Sequence, residues 1–239
     1  MTSINVLGIV ASPRTGNSEY LLERALTEAQ NLPFDINANT IRLRGKKIQP
    51  CIACFKCLEN KGTCILKDDF EEIKSAWLDA DVVIYSAPVY HLSIPGQLKC
   101  FIDRLGQSLN GYYDVRSVRH LKVVANIAQG THLFGGQEIA IANLILHEVL
   151  MNCVPIAGDG WESYIGAAGW TANQRDRQAF KQLDESDDHD ASITIRAANR
   201  MVQRAIETAA IIKLGGLQLS DCLKDDPRYK PFLNRIAKE

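Results

Sequence analysis

No stretch of this 239-residue chain stays apolar long enough to cross a bilayer; the longest runs, such as IANLILHEVL, are too short and too polar. The start, MTSINVLGIV, has no basic segment ahead of a long apolar run and no small-residue cleavage site. It reads as a first strand and not as a signal peptide, and a cytoplasmic location is expected. An excess of one charge is missing too: 27 Lys and Arg stand against 28 Asp and Glu, a net charge of −1. Without a basic stripe or tail, neither nucleic acid nor an anionic membrane is expected as a partner. Internal repeats and low-complexity tracts are absent, which leaves small-molecule chemistry as the default.

Cysteine is scarce except in one place. Four of the seven fall within CIACFKCLENKGTC, residues 51 to 64. A chain of this length, 46% hydrophobic and 23% charged, can bury a full core without covalent staples, so a disulfide framework is not required. In a reducing compartment, clustered thiols are more often metal-binding or catalytic than disulfide-bonded. The remaining Cys100, Cys153 and Cys222 read as core or incidental residues.

Four apolar, β-branched runs read as buried strands: INVLGIVA (4–11), DINANTIRL (35–43), DVVIYSA (81–87) and LKVVANIA (121–128). Their near-continuous hydrophobicity suits a parallel sheet covered on both faces, and a fifth short strand is expected near CVPIAG (153–158). Helical periodicity lies between them, with Leu98, Phe101, Ile102 and Leu105 on one face and Ile141, Leu144, Ile145 and Val149 on another. Strand–helix alternation at this spacing predicts a doubly wound α/β fold, whose ligands bind at the carboxyl ends of the strands. Residues 1–158 are expected to form the core, with a cysteine-rich loop insertion at 46–68. Residues 159–239 would add an extension packed on the same domain. In it, 159–190, with Trp161 and Trp170, reads as an inserted loop or oligomer contact, followed by a last helix carrying Ala198, Met201, Val202, Ala205, Ile206 and Ala209 on one face, and a tail.

Three strand-end loops carry the candidate chemistry. After strand 1, Ser12, Arg14, Gly16, Asn17 and Ser18 make an anion cradle at a helix N-terminus suited to phosphate; a plain capped helix start would look the same. No Gly-Lys-Ser/Thr follows, and GxGxxG is absent, so neither a Walker A loop nor a dinucleotide fingerprint is present. After strand 3, Pro88, Val89, Tyr90 and His91 form a proline-stiffened loop that can lie against a flat heterocycle, or pack as an ordinary loop. After strand 4, AQGTHLFGGQE brings Gln129, Gly130, Gly135 and Gly136; it allows close backbone approach, or forms a flexible surface loop.

The patterns S-P-R-x-G-N-S, S-A-P-V-Y…P-G-Q-L-K-x-F-I-D-R and Gly-Gly-Gln-Glu resemble the flavodoxin-like NAD(P)H-dependent FMN reductases over residues 4 to about 155. The cysteine run resembles that of their iron–sulfur flavoprotein branch. The resemblance implies a flavodoxin-like five-stranded parallel sheet with helices on both faces. It also implies FMN, with its phosphate held by Ser12, Arg14, Gly16, Asn17 and Ser18. Pro88, Val89, Tyr90 and His91 would flank its ring, and Gln129, Gly130, Gly135 and Gly136 would line the other edge.

By spacing alone, C-x2-C-x2-C with a fourth cysteine after six more residues is too compact for a zinc site of two separated pairs and suits iron–sulfur ligation; zinc and unliganded redox thiols stay open. The resemblance implies a [4Fe–4S] cluster on Cys51, Cys54, Cys57 and Cys64. It further implies a homodimer or homotetramer in which the cluster of one subunit approaches the flavin of another. The expected function is electron transfer between NAD(P)H or a ferredoxin-type donor, FMN and the cluster to a small acceptor. Two alternatives stand beside it: a cluster-free NAD(P)H:FMN or quinone reductase, and a non-enzymatic metal-loop scaffold or partner-binding protein. No catalytic side chain is assigned, although Tyr90 and His91 are placed to touch the flavin or an acceptor.

Overall fold

Runs of β-branched and aliphatic residues need a second element on each side to hide them, and here they find it. The computed structural model describes residues 3–113, 115, 117–158 and 160–238. Strands β1 (Ser3–Val10) and β2 (Asp35–Arg42) are connected by helix α1 (Asn17–Ala29). The short α2 (Lys56–Glu59) and α3 (Phe70–Asp79) lead to β3 (Val82–Pro88), and α4 (Gly96–Tyr113) leads to β4 (Val123–Gly130). Then come α5 (Gln137–Leu150), β5 (Val154–Pro155) and β6 (Ala167–Trp170). The chain closes with α6 (Ala179–Glu185), α7 (His189–Gln218), α8 (Ser220–Leu223) and α9 (Lys230–Ile236).

All described strand pairs are parallel, in the order β2-β1-β3-β4-β5, and β6 pairs with β4 beyond the end of β5. The fifth place in the sheet is thus filled by two half-strands: Val154 and Pro155 match Val123 and Val124, and Ala167–Trp170 match Ile127–Gly130. This corrects the reading of 159–190 as an inserted loop, since four of those residues complete the sheet. Asp159, at the expected boundary, lies outside the described residues. β2 is also corrected: it is an edge strand, and most of its residues are exposed or only half-buried. Its Asp35, Asn37 and Asn39 alternate on the open side, as an unpaired edge tolerates.

One face of the sheet is covered by α1 and α7, the other by α3, α4 and α5. α7 is 30 residues long, about 45 Å. Its N-cap Asp188 accepts from Ala191 N at 2.9 Å, and a stripe of Ala198, Met201, Val202, Ala205, Ile206 and Ala209 is buried against the sheet and α1. At the amino ends of the strands, buried Asp81 accepts from Arg235 Nε of α9 at 3.1 Å and lies 3.6 Å from Lys213 Nζ of α7. Its Oδ2 also accepts from Asn5 N at 3.1 Å. Removing one partner of such a buried pair costs about 3–5 kcal/mol.

Between β4 and α5 lies a buried acid. Glu148 Oε1 accepts from Asn126 Nδ2 at 2.8 Å, while its Oε2 has no partner among the described residues. Burial raises Glu148 from its ordinary 4.5 to about 7. The folded chain therefore keeps a proton that the unfolded chain has released; that stabilisation is complete below pH 4.5 and disappears as pH rises through 7. Two histidines act in the opposite sense. Burial, then Lys122 and Arg235, lower His120 to about 3, and burial lowers His147 to about 4, so both favour the fold above pH 6.5. The comparison with Glu148→Gln isolates the acid. Between pH 6 and 8 the wild type should lose about 1.4 kcal/mol of unfolding free energy relative to the variant. Parallel curves in urea titrations at the two pH values would show that Glu148 does not carry this proton.

Candidate functional site

The carboxyl ends of β1, β3 and β4 deliver their loops to one edge of the molecule, and a few hydrogen bonds join them. Gln129 is the penultimate residue of β4; its Nε2 donates to Ser18 Oγ of α1 at 3.3 Å, and its carbonyl accepts from Val89 N at 2.8 Å. Ser86 Oγ of β3 donates to the Ser18 carbonyl at 2.7 Å. Ser18, Gln129 and Val89 are therefore neighbours, as a shared crevice requires.

In the first loop, Ser12 Oγ donates back to the Arg14 carbonyl at 2.6 Å and accepts from Arg14 N at 3.2 Å, which shapes the turn. Arg14 is exposed. Gly16 precedes α1 with φ +152°, and no side chain caps that helix, so its N-terminal dipole and N–H groups are available to an anion. Asn17 is otherwise engaged: Nδ2 donates to the Asp176 carbonyl at 3.1 Å and Oδ1 accepts from Phe180 N at 3.0 Å. A Cβ on Gly16 would collide with the Arg177 backbone. The segment before α6 thus lies directly on this loop, which its irregular polar sequence did not reveal.

In the second loop, Pro88 ends β3, and Tyr90 and Ser93 exchange backbone hydrogen bonds at 2.9 and 3.0 Å. The two residues between them, His91 (φ 47°) and Leu92 (φ 62°), are both left-handed without being glycine. Such consecutive positive φ values make a tight reversal that the surroundings must hold. They present Tyr90, His91 and Leu92 to solvent. The third loop holds them: Gly136 (φ +104°) packs where any Cβ would overlap the Leu92 backbone. Asn143 Nδ2 of α5 donates to Ser93 Oγ at 2.8 Å.

Gln137, which the sequence reading passed over although it follows Gly135 and Gly136, organises the third loop. Its Nε2 donates to the carbonyls of His132 at 2.7 Å and Gly169 at 3.0 Å, and its amide fills the space beside Gly130 and Gly135. Those two glycines therefore face Gln137. Around this junction Leu92, Phe134, Gly136, Gln137, Gly169 and Trp170 surround an open cavity of about 430 Å³, within the range of small-molecule sites. Phe134, 94% exposed, stands at its rim.

The cysteine run is packed on α4. A Cβ on Gly111 would overlap the Cys57 carbonyl, Cys57 Sγ donates to the Gln107 carbonyl at 3.5 Å, and Ser108 Oγ donates to the Gly62 carbonyl. Buried Lys74 of α3 also donates to that carbonyl, at 2.8 Å. Ala53 (φ 50°) and Phe55 (φ 56°) are left-handed on either side of Cys54 and wind the loop tightly. Cys51, Cys54, Cys57 and Cys64 line one cavity of about 30 Å³, with Arg104 on its wall. Burial first, then the neighbouring Cys64, Cys51 and Cys54, raise the Cys57 thiol and favour its protonated form. Among the described residues no three Cys, His, Asp or Glu side chains are disposed to hold a metal ion, so the thiols share a cavity without converging. The donor set fits a thiolate-ligated cluster, and so does the wall, where buried Arg104 Nε and Nη2 have no partner among the described residues. Arg104 lies within the F-I-D-R motif but had no role assigned from it.

The family model described as NADPH-dependent FMN reductase matches residues 4–161. An iron–sulfur flavoprotein of Archaeoglobus fulgidus is 32% identical over 183 residues, 74% of this chain and 91% of the relative. One from Methanocaldococcus jannaschii is 31% identical over 171 residues, 72% of this chain and 84% of the relative. Among solved structures, an azoreductase of Bacillus anthracis superposes with a TM-score of 0.58 at 14% identity, covering 84% of this chain and 99% of that one; the likeness is one of fold.

The contact between Gly136 and Leu92 predicts the outcome of a small change. Gly136→Ala should lower the urea unfolding free energy by about 2 kcal/mol, through a strained φ and a backbone overlap. Gly45→Ala, at φ +80° but with open space around it, measures the φ contribution alone and should cost about half as much. Equal losses would show that the Leu92 contact carries nothing.

Proposed function

The chain belongs to the NADPH-dependent FMN reductase family, in its iron–sulfur flavoprotein branch, and on that premise we propose how this flavin-dependent oxidoreductase uses its loops. FMN binds across the three strand ends, with its phosphate at the N-terminus of α1 and its ring along the second and third loops. When bound, FMN accepts a hydride as an electron pair and returns electrons singly, the chemistry that joins NAD(P)H to a one-electron centre. The observation that carries this reading is the junction at Gln129, which holds the Ser18 hydroxyl and the Val89 amide in one hydrogen-bonded unit.

The residues have distinct tasks in this reading. Ser12 shapes the turn, Arg14 supplies the charge, and Gly16 with the N–H groups of Asn17 and Ser18 brings backbone to the phosphate; the Asn17 and Ser18 side chains hold the loop from behind. Pro88 and Val89 set the height of the second loop, and Tyr90 and His91 border the ring. Gln129, Gly130, Gly135 and Gly136 line its far edge, kept in shape by Gln137. The cavity of about 430 Å³ beside Gly136 admits the small donor or acceptor.

Cys51, Cys54, Cys57 and Cys64 hold a [4Fe–4S] cluster. What supports this is that all four line one cavity on α4, the helix that begins where the second loop ends. A cluster-free NAD(P)H:FMN or quinone reductase is the second reading, favoured by the failure of the thiols to converge. Titration of the chain with FMN should saturate at about one per chain, and Arg14→Ala should weaken binding roughly tenfold or more. Anaerobic reconstitution should load about four iron and four sulfide per chain, and Cys54→Ala should reduce both while FMN binding persists. Full FMN binding with no iron in the wild type selects the second reading.

Exposed Ile139, Leu146, Val149 and Leu150 give α5 an apolar outer face, which we assign to a second copy of the chain in a homodimer or homotetramer. Light scattering should report the mass of the oligomer, and Leu146→Lys should reduce it. No described helix is long and apolar enough to cross a membrane.

A further inference from the structure

Arg104 is a buried cation with too few partners. Its residue is 2% exposed, and its guanidinium offers five N–H donors. Nη1 donates to Asp68 Oδ2 at 2.6 Å and to the Gln49 carbonyl at 3.3 Å. Nε and Nη2 are fully buried and have no hydrogen-bond partner among the described residues. Leaving such donors unmet costs about 1–3 kcal/mol each, and more for a charged group.

The surroundings fix this side chain instead of letting it escape. The Phe70 ring lies 4.2 Å from Cζ, and Asp68 is itself held by Gln49 N at 2.8 Å and Phe70 N at 3.2 Å. The cavity that Arg104 borders is the one lined by the four cysteines. Of the other polar groups on that wall, Ser108 Oγ is already engaged with Gly62 and accepts from Lys74 Nζ at 3.2 Å. Cys64, one of the four thiols lining the cavity, lies close to the guanidinium. A rigid fork with unmet donors, beside a set of sulfurs, is built for an anionic sulfur acceptor.

We propose that Arg104 is a positioning residue that donates hydrogen bonds to sulfur of the cluster on Cys51, Cys54, Cys57 and Cys64 and thereby raises its reduction potential. This rests on the cluster reading above. Reduction by one electron makes the sulfurs more negative, and hydrogen bonds to them strengthen, so the reduced form is favoured. Because Asp68 balances the charge of Arg104, the effect comes from the directed N–H groups and not from a long-range field.

The test uses the full chain, reconstituted anaerobically and titrated with dithionite while the reduced cluster is followed by electron paramagnetic resonance. Arg104→Met should hold as much iron and sulfide as the wild type, yet be at least tenfold harder to reduce, a midpoint lower by about 59 mV or more for a one-electron couple. Arg104→Lys, which keeps the charge but not the fork, should fall between them. An unchanged midpoint in a fully loaded Arg104→Met overturns the proposal and leaves the cluster reading intact. A wild type that takes up no iron sinks both. Should Arg104→Met fail to fold because Asp68 is left unpaired, the double variant Asp68→Asn, Arg104→Met replaces it. A loaded double variant with a lowered midpoint supports the role, and one that folds without binding iron overturns it.

Discussion

The carboxylate of Asp81 is where distant parts of the chain are tied together. It sits just ahead of β3, accepts from β1, and receives Arg235 from α9, with Lys213 of α7 close by. Lys213 also reaches the Ser3 carbonyl at 2.9 Å, and Arg235 Nη1 the His120 carbonyl at 2.7 Å. Charges taken from water in this way are stabilising only when every one is met, so the amino edge of the sheet is closed by a set of interactions that tolerate little change. With that edge closed by the C-terminal helices, the three strand-end loops occupy the opposite one.

At that opposite edge, precision comes from backbone contact more than from side-chain charge. Gly16 against Arg177 and Gly136 against Leu92 are approaches that no Cβ would permit. Gln129 and Gln137 then convert close approach into fixed spacing through hydrogen bonds. α4 extends the arrangement away from the sheet. Its first residue follows the second loop, and its Gln107, Ser108 and Gly111 seat the cysteine run. One helix therefore relates the proposed flavin edge to the proposed cluster.

The central strands and the starts of α1, α4 and α5 were legible because continuous β-branched runs and clear 3.6-residue periodicity leave few other solutions. The three loops were legible as loops for the same reason. β6 was not: AAGW is four residues long with no β-branched side chain, and it pairs because Gly169 lets Thr194 and Phe180 press close. β2 was read as buried since its apolar residues are contiguous with polar ones that only an edge would expose. The Asn17 side chain also ties its loop to Asp176 and Phe180, a long-range contact that no local pattern encodes. Arg104 was equally silent, because a basic residue beside an apolar helix stripe ordinarily reaches water.

The divided fifth strand has a consequence of another kind. β5 and β6 each find their own register on β4, and the chain between them stays on that strand at both ends, through Ile156 N donating to the Val124 carbonyl and Gly166 packed against Asn126. Loop closure grows only slowly with length, and here both anchors are independent. That segment displays Trp161, Tyr164 and Ile165, but it is anchored beneath them, where Ser163 is buried and Glu162 pairs with Arg196 and Arg200 of α7. Its exposed tip is a convenient place for grafting new recognition onto this flavin-dependent oxidoreductase frame.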